Sequence, residues 1–175
     1  HALSQIEADI HAAVDRYGAG RVGVVMGTST SGVDENLPLF RHAASGGGWG
    51  DIAFKQQQQI HSAPADFVAA AYGLQGPCYG VSTACTSGAR ALISAARLLR
   101  LGVCDAVVCG GVDTPSPLTI NGFEALEVLS GGLANPFSVH GDGINIGEAA
   151  AAFILSREAG SGLPLLGYGA SSDAY

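Results

Sequence analysis

The stretch Val81–Leu92, VSTACTSGARAL, sets a thiol among small residues where a strand gives way to a helix. GPCYGVSTA reads as a strand that Cys85 ends, and Thr86 to Leu101 is rich in Ala and Leu at helical spacing, closing at Gly102. A nucleophile benefits from this position, because the unpaired N–H groups and macrodipole of a helix start favour thiolate over thiol. Ala84, Ser87 and Gly88 leave room for a substrate carbonyl, and the N–H of Cys85 is placed to donate to an oxyanion. The opposing reading is that small residues only let a helix pack closely on a sheet, with Cys85 a small hydrophobe.

Outward from this junction the chain alternates strands and helices. Leu3, Ile6, Ile10, Ala13, Val14 and Tyr17 recur at helical spacing before Gly18. RVGVVMGTSTSG supplies a buried strand over Val22–Met26 that runs into a loop of Gly, Ser and Thr. Residues 36–59, with SGGGWG and KQQQQ, lack clear periodicity and predict an excursion with one or two helical turns. A helix with Ser62 as N-cap and Pro64 in its first turn runs to Gly73. After the junction, CDAVVCGGVD predicts a strand, SPLTINGFEALEVL a helix and AAAAFILSRE a further strand. Such alternation, with strands apolar on both faces, predicts an α/β fold: a mostly parallel sheet covered by helices on both faces. Reactive groups in such sheets gather beyond the carboxyl ends of the strands, where GTSTSG, Cys85 and GGVDTPS all fall, so the three loops are expected to share one rim.

Composition narrows the chemistry. Hydrophobic residues make up 47% of the 175, charged ones 13%, and there are 26 glycines, as expected of buried elements joined by tight turns. A net charge of -7, with eight Lys and Arg and no basic run, argues against a nucleic-acid surface. No apolar run approaches a membrane span, and no secretory-signal pattern opens the chain, so a cytoplasmic protein is the expectation. Cys78, Cys85, Cys104 and Cys109 form no C-x-x-C pair, which disfavours a zinc site or a disulfide framework. No metal, nucleotide or flavin motif is present, so no cofactor is expected.

Four segments carry a resemblance. VSTACTSGARAL at 81–92, VVCGGVD at 107–113, NGFEALEVLS at 121–130 and NPFSVHGDGINIGEAAAAFILSRE at 135–158 together resemble the N-terminal half of a β-ketoacyl-acyl carrier protein synthase, in the family's order and close to its spacing. The likeness runs over most of the chain, from RVGVVMGTSTSG onward. It implies a thiolase-like fold and decarboxylative Claisen condensation of an acyl group with a malonyl unit held on acyl carrier protein. Under the resemblance Cys85 is the acylated nucleophile and its N–H the first oxyanion donor. Ser29 and Thr30 match a loop bordering the acyl-chain tunnel, and Phe123 an aromatic lining it; turn residues and a core ring are the alternative. Asp142 and Glu148 match elements that hold loops near the site by hydrogen bonds rather than by moving protons.

The departures are informative. Gly141 stands where the family's RDG element has arginine, and neither His140 nor His1, His11, His42 or His61 matches a catalytic histidine. INIGEAAA and GGVDTPSPLTINGF resemble synthases of aryl-polyene-type pathways. The histidines and lysine that drive decarboxylation, the second oxyanion donor and the first strand of the fold match nothing here. Residues 1–175, which open on His1 and stop at GASSDAY, are therefore expected to be a partial N-terminal synthase domain that condenses nothing alone. The resemblance also implies a dimer, paired through CYGVSTA, with an identical or related subunit, and a carrier-protein partner for which Arg41, Lys55, Arg97 and Arg100 are the available cations. The alternatives are a non-catalytic chain-length-factor-like subunit, which usually lacks the cysteine, a thiolase acting on coenzyme A esters, and a module serving only dimerisation or carrier docking.

Overall fold

The apolar run at Val22–Met26 forms the centre of the molecule. In a computed structural model that describes residues 1–158 and 162–172, strand β1, Val22–Gly27, is buried along its whole length. It lies between β2, Cys78–Val81, and β3, Ala106–Asp113, parallel to both; β4, Ala149–Ser156, pairs antiparallel with β3, giving the order β2-β1-β3-β4. Asp173–Tyr175, the end of the GASSDAY segment, lie outside the described residues.

Period-two alternation along β1 sends Val22, Val24 and Met26 to one face and Val25 to the other. The first face is covered by α1, Glu7–Tyr17, and α4, Ala63–Tyr72, through Ile10, Ala65 and Val68. The second is covered by α5, Ser87–Arg100, through Ala91, Ala95 and Leu99, which meet Val25, Val107 and Cys109. Each fully buried valine adds about 1.5–3 kcal/mol over an exposed one, so β1 and β3 anchor both layers.

Most of the expected elements are present, with local differences. The first helix begins at Glu7 after a 3₁₀ turn at Leu3–Gln5, and Gly18 follows it at φ 81°, its N–H bonded to Val14 O. Ser62 does not cap α4 through its side chain; its Oγ donates to Asp66 Oδ2 at 2.8 Å instead. Residues 36–59 contain α2, Leu37–Ala44, and the single turn α3, Gln56–Gln59. The helix expected after Ser116 is α6, Pro117–Ala125, with Ser116 Oγ accepting from Leu118 N at 3.1 Å. Contrary to expectation, β4 is largely exposed among the described residues, with Phe153 48% accessible.

The amino-terminal edge of the sheet is clamped by charge. Arg21 Nε donates to Asp105 Oδ2 at 2.7 Å, and its two terminal nitrogens donate to Val103 O and Gly102 O. This ties the entrances of β1 and β3 together and leaves their carboxyl ends to form the opposite rim.

Candidate active site

Cys85 stands in a turn, not at the end of a strand. β2 stops at Val81, whose carbonyl accepts from Thr28 N at 3.1 Å, and α5 starts at Ser87, so Cys85 lies four residues past one and two before the other. The turn is built from hydroxyls. Ser87, 2% exposed, accepts from Thr83 N at 2.9 Å and donates to Ala84 O at 2.6 Å. Thr86 Oγ1 donates to Thr83 O at 2.8 Å, while Thr86 N and Ser87 N bond to Thr83 O and Ala84 O. Ala84 is held at φ 53°, the left-handed region that a Cβ disfavours.

The result is an exposed Cys85 thiol ahead of a 14-residue helix with no acidic residue in its first turn. The positive end of that helix is left uncompensated by its own side chains. The Cys85 N–H makes no backbone hydrogen bond among the described residues, so it remains available as a donor.

The other three thiols differ. Burial, aided by the carboxylate of Asp66, pushes Cys78 up to about 11. Burial alone pushes Cys109 up to about 12 and also raises Cys104. Only Cys85 is exposed.

The three loops do meet. Gly27 closes β1 against the start of α5: a Cβ there would come within 2.7 Å of Gly88 N, and one on Gly111 would lie 3.2 Å from Gly88 Cα. These glycines seat the helix start directly on the ends of β1 and β3. Asp113, the last residue of β3, accepts from Thr28 Oγ1 at 3.0 Å, Ser29 N at 2.7 Å and Ser29 Oγ at 3.2 Å. Ser29 is thus fixed on the rim that also carries the Cys85 turn, and Thr30 follows it in the same loop, before Ser31 at φ 52°, whose N–H is bonded to Thr28 Oγ1.

The remaining predicted positions lie elsewhere. Phe123 is half-buried on α6 and does not join either core cluster. Asp142 accepts from Ser130 Oγ at 2.9 Å and so closes the 130–142 loop, whereas Glu148 is exposed just before β4. Sequence reading missed Ser87 and Asp113 as bracing residues. A serine at a helix start was a visible signal for the first, but Asp113 bonds a residue 84 positions away and left none.

With this geometry in place, a model described as the β-ketoacyl synthase N-terminal domain matches residues 5–160. The chain belongs to the β-ketoacyl synthase family. Nodulation protein E of Rhizobium leguminosarum bv. trifolii is 34% identical over 171 residues, 92% of this chain and 42% of its own length. The tetracenomycin polyketide synthase ketoacyl synthase alpha subunit of Streptomyces glaucescens is 34% identical over 152 residues, 78% of this chain and 35% of its own. Among solved structures, a chain of a ketosynthase in complex with its chain length factor from Xenorhabdus doucetiae superposes with TM-score 0.82 at 41% identity, covering 91% of this chain and 40% of that one. The β-ketoacyl synthase chain described here therefore has the α/β architecture of the N-terminal part of these enzymes and spans about two fifths of the length of the relatives it matches. No helix among the described residues is long and apolar enough to cross a membrane.

Proposed function

We propose that residues 1–175 are the nucleophile-bearing N-terminal part of a cytoplasmic β-ketoacyl-acyl carrier protein synthase. The observation that carries this reading is the exposed Cys85 in a left-handed, hydroxyl-braced turn immediately before α5. The Cys85 thiolate attacks the carbonyl carbon of an acyl-carrier thioester, the carbonyl oxygen takes the negative charge opposite the Cys85 N–H, and the carrier thiolate leaves. A malonyl-carrier unit then loses CO₂, its carbanion forms the new C–C bond at the acyl-Cys85 carbonyl, and the Cys85 thiolate is released.

Ser29, Thr30 and Phe123 are proposed to border the acyl chain. Asp142 and Glu148 support the loops rather than transfer protons. The decarboxylating histidines and lysine, which match no motif in this chain, are assigned to the further length that the relatives possess. Acyl carrier protein and a second ketosynthase-type subunit, identical or related, are the proposed partners, in fatty-acid or polyketide-like synthesis, including aryl-polyene-type pathways. No cofactor enters these steps.

A chain-length-factor-like subunit is the second reading, and the presence of an exposed Cys85 favours the synthase over it. The test is incubation with acyl-carrier thioesters of graded length, followed by intact mass and adduct mapping, with Cys85→Ala as control. A thioester adduct at Cys85 is expected. An intact, longer protein that takes no acyl group while Cys85 still alkylates freely would overturn the catalytic reading in favour of the non-catalytic subunit.

A further inference from the structure

We infer that Ser87 is a positioning residue for acyl transfer: its buried hydroxyl holds Ala84 in the left-handed conformation and thereby aims the Cys85 N–H at the oxyanion. This rests on the reading of Cys85 as the acyl-accepting nucleophile. Ser87 Oγ is engaged twice within one turn, accepting from Thr83 N at 2.9 Å and donating to Ala84 O at 2.6 Å. Ala84 O belongs to the same peptide as the Cys85 N–H, and Thr83 N lies upstream of Ala84, so the hydroxyl grips the peptide that presents the Cys85 N–H together with the backbone before it.

The geometry needs such a grip. Ala84 at φ 53° relaxes toward negative φ unless surrounding bonds over-determine it. Rotation about that residue swings the following peptide, which carries the Cys85 N–H. The backbone contribution to holding it comes from two bonds donated from beyond Cys85, Ser87 N to Ala84 O at 3.0 Å and Thr86 N to Thr83 O at 3.3 Å, whose acceptors are the carbonyls of the peptides on either side of Ala84. Ser87 alone also satisfies Thr83 N, upstream of it. Its hydroxyl cannot turn away freely, because the residue is 2% exposed and its backbone is packed under Gly27.

Two reactions at one sulfur separate this role from general support of the fold. Acylation by 4-nitrophenyl acetate forms the Sγ–C bond, places charge on the carbonyl oxygen and expels 4-nitrophenolate, the thiol proton passing to solvent. Alkylation by iodoacetamide forms an Sγ–C bond and expels iodide, with no oxyanion. The first needs thiolate and aligned N–H; the second needs thiolate only.

The experiment measures both rates at Cys85 by mass spectrometry in the full chain, its Ser87→Ala and Ser87→Thr variants, and Ser87→Ala carrying Ala84→Gly. Loss of one oxyanion donor costs about 10²–10³-fold, so its misalignment in Ser87→Ala is expected to lower the acylation-to-alkylation ratio about tenfold. Ser87→Thr, which keeps the hydroxyl, should restore the ratio, and Ala84→Gly should recover part of it because glycine adopts φ near 53° without strain. A ratio within about twofold of wild type in Ser87→Ala, or a wild-type ratio no higher than that of the urea-unfolded chain, would overturn the inference, since one donor is worth far more. Failure of carrier thioesters to acylate the wild type strikes at the synthase reading instead, because the small-molecule ratio does not depend on a carrier.

Discussion

Gly27→Ala is expected to destabilise the protein although alanine is the better strand residue. Its added Cβ would stand 2.5 Å from Ser87 O and 2.7 Å from Gly88 N, where ordinary contact begins at 3.4 Å. These atoms and Ser87 C, which lies closer still, are all backbone, so no rotamer change relieves the overlap, and the start of α5 must retreat by roughly 0.7–1.0 Å. That motion loosens Ala91, Ala95 and Leu99 from Val25, Val107 and Cys109. Overpacking costs about 1–3 kcal/mol, and a clash with three backbone atoms places this case in the upper part, about 2–3 kcal/mol; against a gain of about 0.5–1 kcal/mol from removing a glycine within a strand, a net loss of about 1–2.5 kcal/mol is expected. Urea unfolding reads it as a lower midpoint at unchanged slope. Gly20→Ala is the control: nothing lies within 4 Å of its Cβ, and it should be neutral or slightly stabilising. Stability of Gly27→Ala within about 0.5 kcal/mol of wild type would refute the view that the close approach of β1 to α5 seats the Cys85 turn.

Three further outcomes follow from named contacts. Iodoacetamide at pH 8 should modify Cys85 first, since Cys78, near 11, and Cys109, near 12, hold thiolate fractions on the order of 10⁻³ and 10⁻⁴; equal labelling of Cys78 or Cys109 in the native protein would contradict the burial described. Asp113→Ala removes the acceptor of Thr28 Oγ1, Ser29 N and Ser29 Oγ and should cost about 1–3 kcal/mol with faster amide exchange at Ser29, whereas Asp113→Asn should retain part of both. The hydrogen bond from Arg21 holds the Asp105 carboxyl below its usual range, so its stabilisation is complete above the unfolded-state value near pH ~3.9 and fades as pH falls through the depressed one. Urea midpoints should therefore separate wild type from Asp105→Asn at pH 7 and converge in strong acid; a constant gap would exclude the clamp as the cause.

Much of this molecule was determined locally. The apolar runs at Val22–Met26 and Ala106–Cys109, the helical spacing after Thr86 and the glycines at 18, 73 and 102 are short-range patterns, so the alternation of strands and helices follows from residues within a few positions of one another. The placing of Cys85 between a strand and a helix start is local in the same sense, which is why it stands out in the sequence as a candidate nucleophile. Period alone does not say which strands become neighbours: the order β2-β1-β3-β4, with α1 and α4 on one face of β1 and α5 on the other, is a property of the assembled sheet. Nor does composition show that Gly27 must be bare to admit Ser87 and Gly88, or that Asp113 reaches Ser29 across 84 residues. Those contacts exist only after the sheet has assembled, because parallel strands bring their carboxyl ends together however far apart they lie in the chain. The chain by itself thus determined which sulfur stands before a helix start; tertiary packing decided that it is exposed and how firmly the turn around it is held.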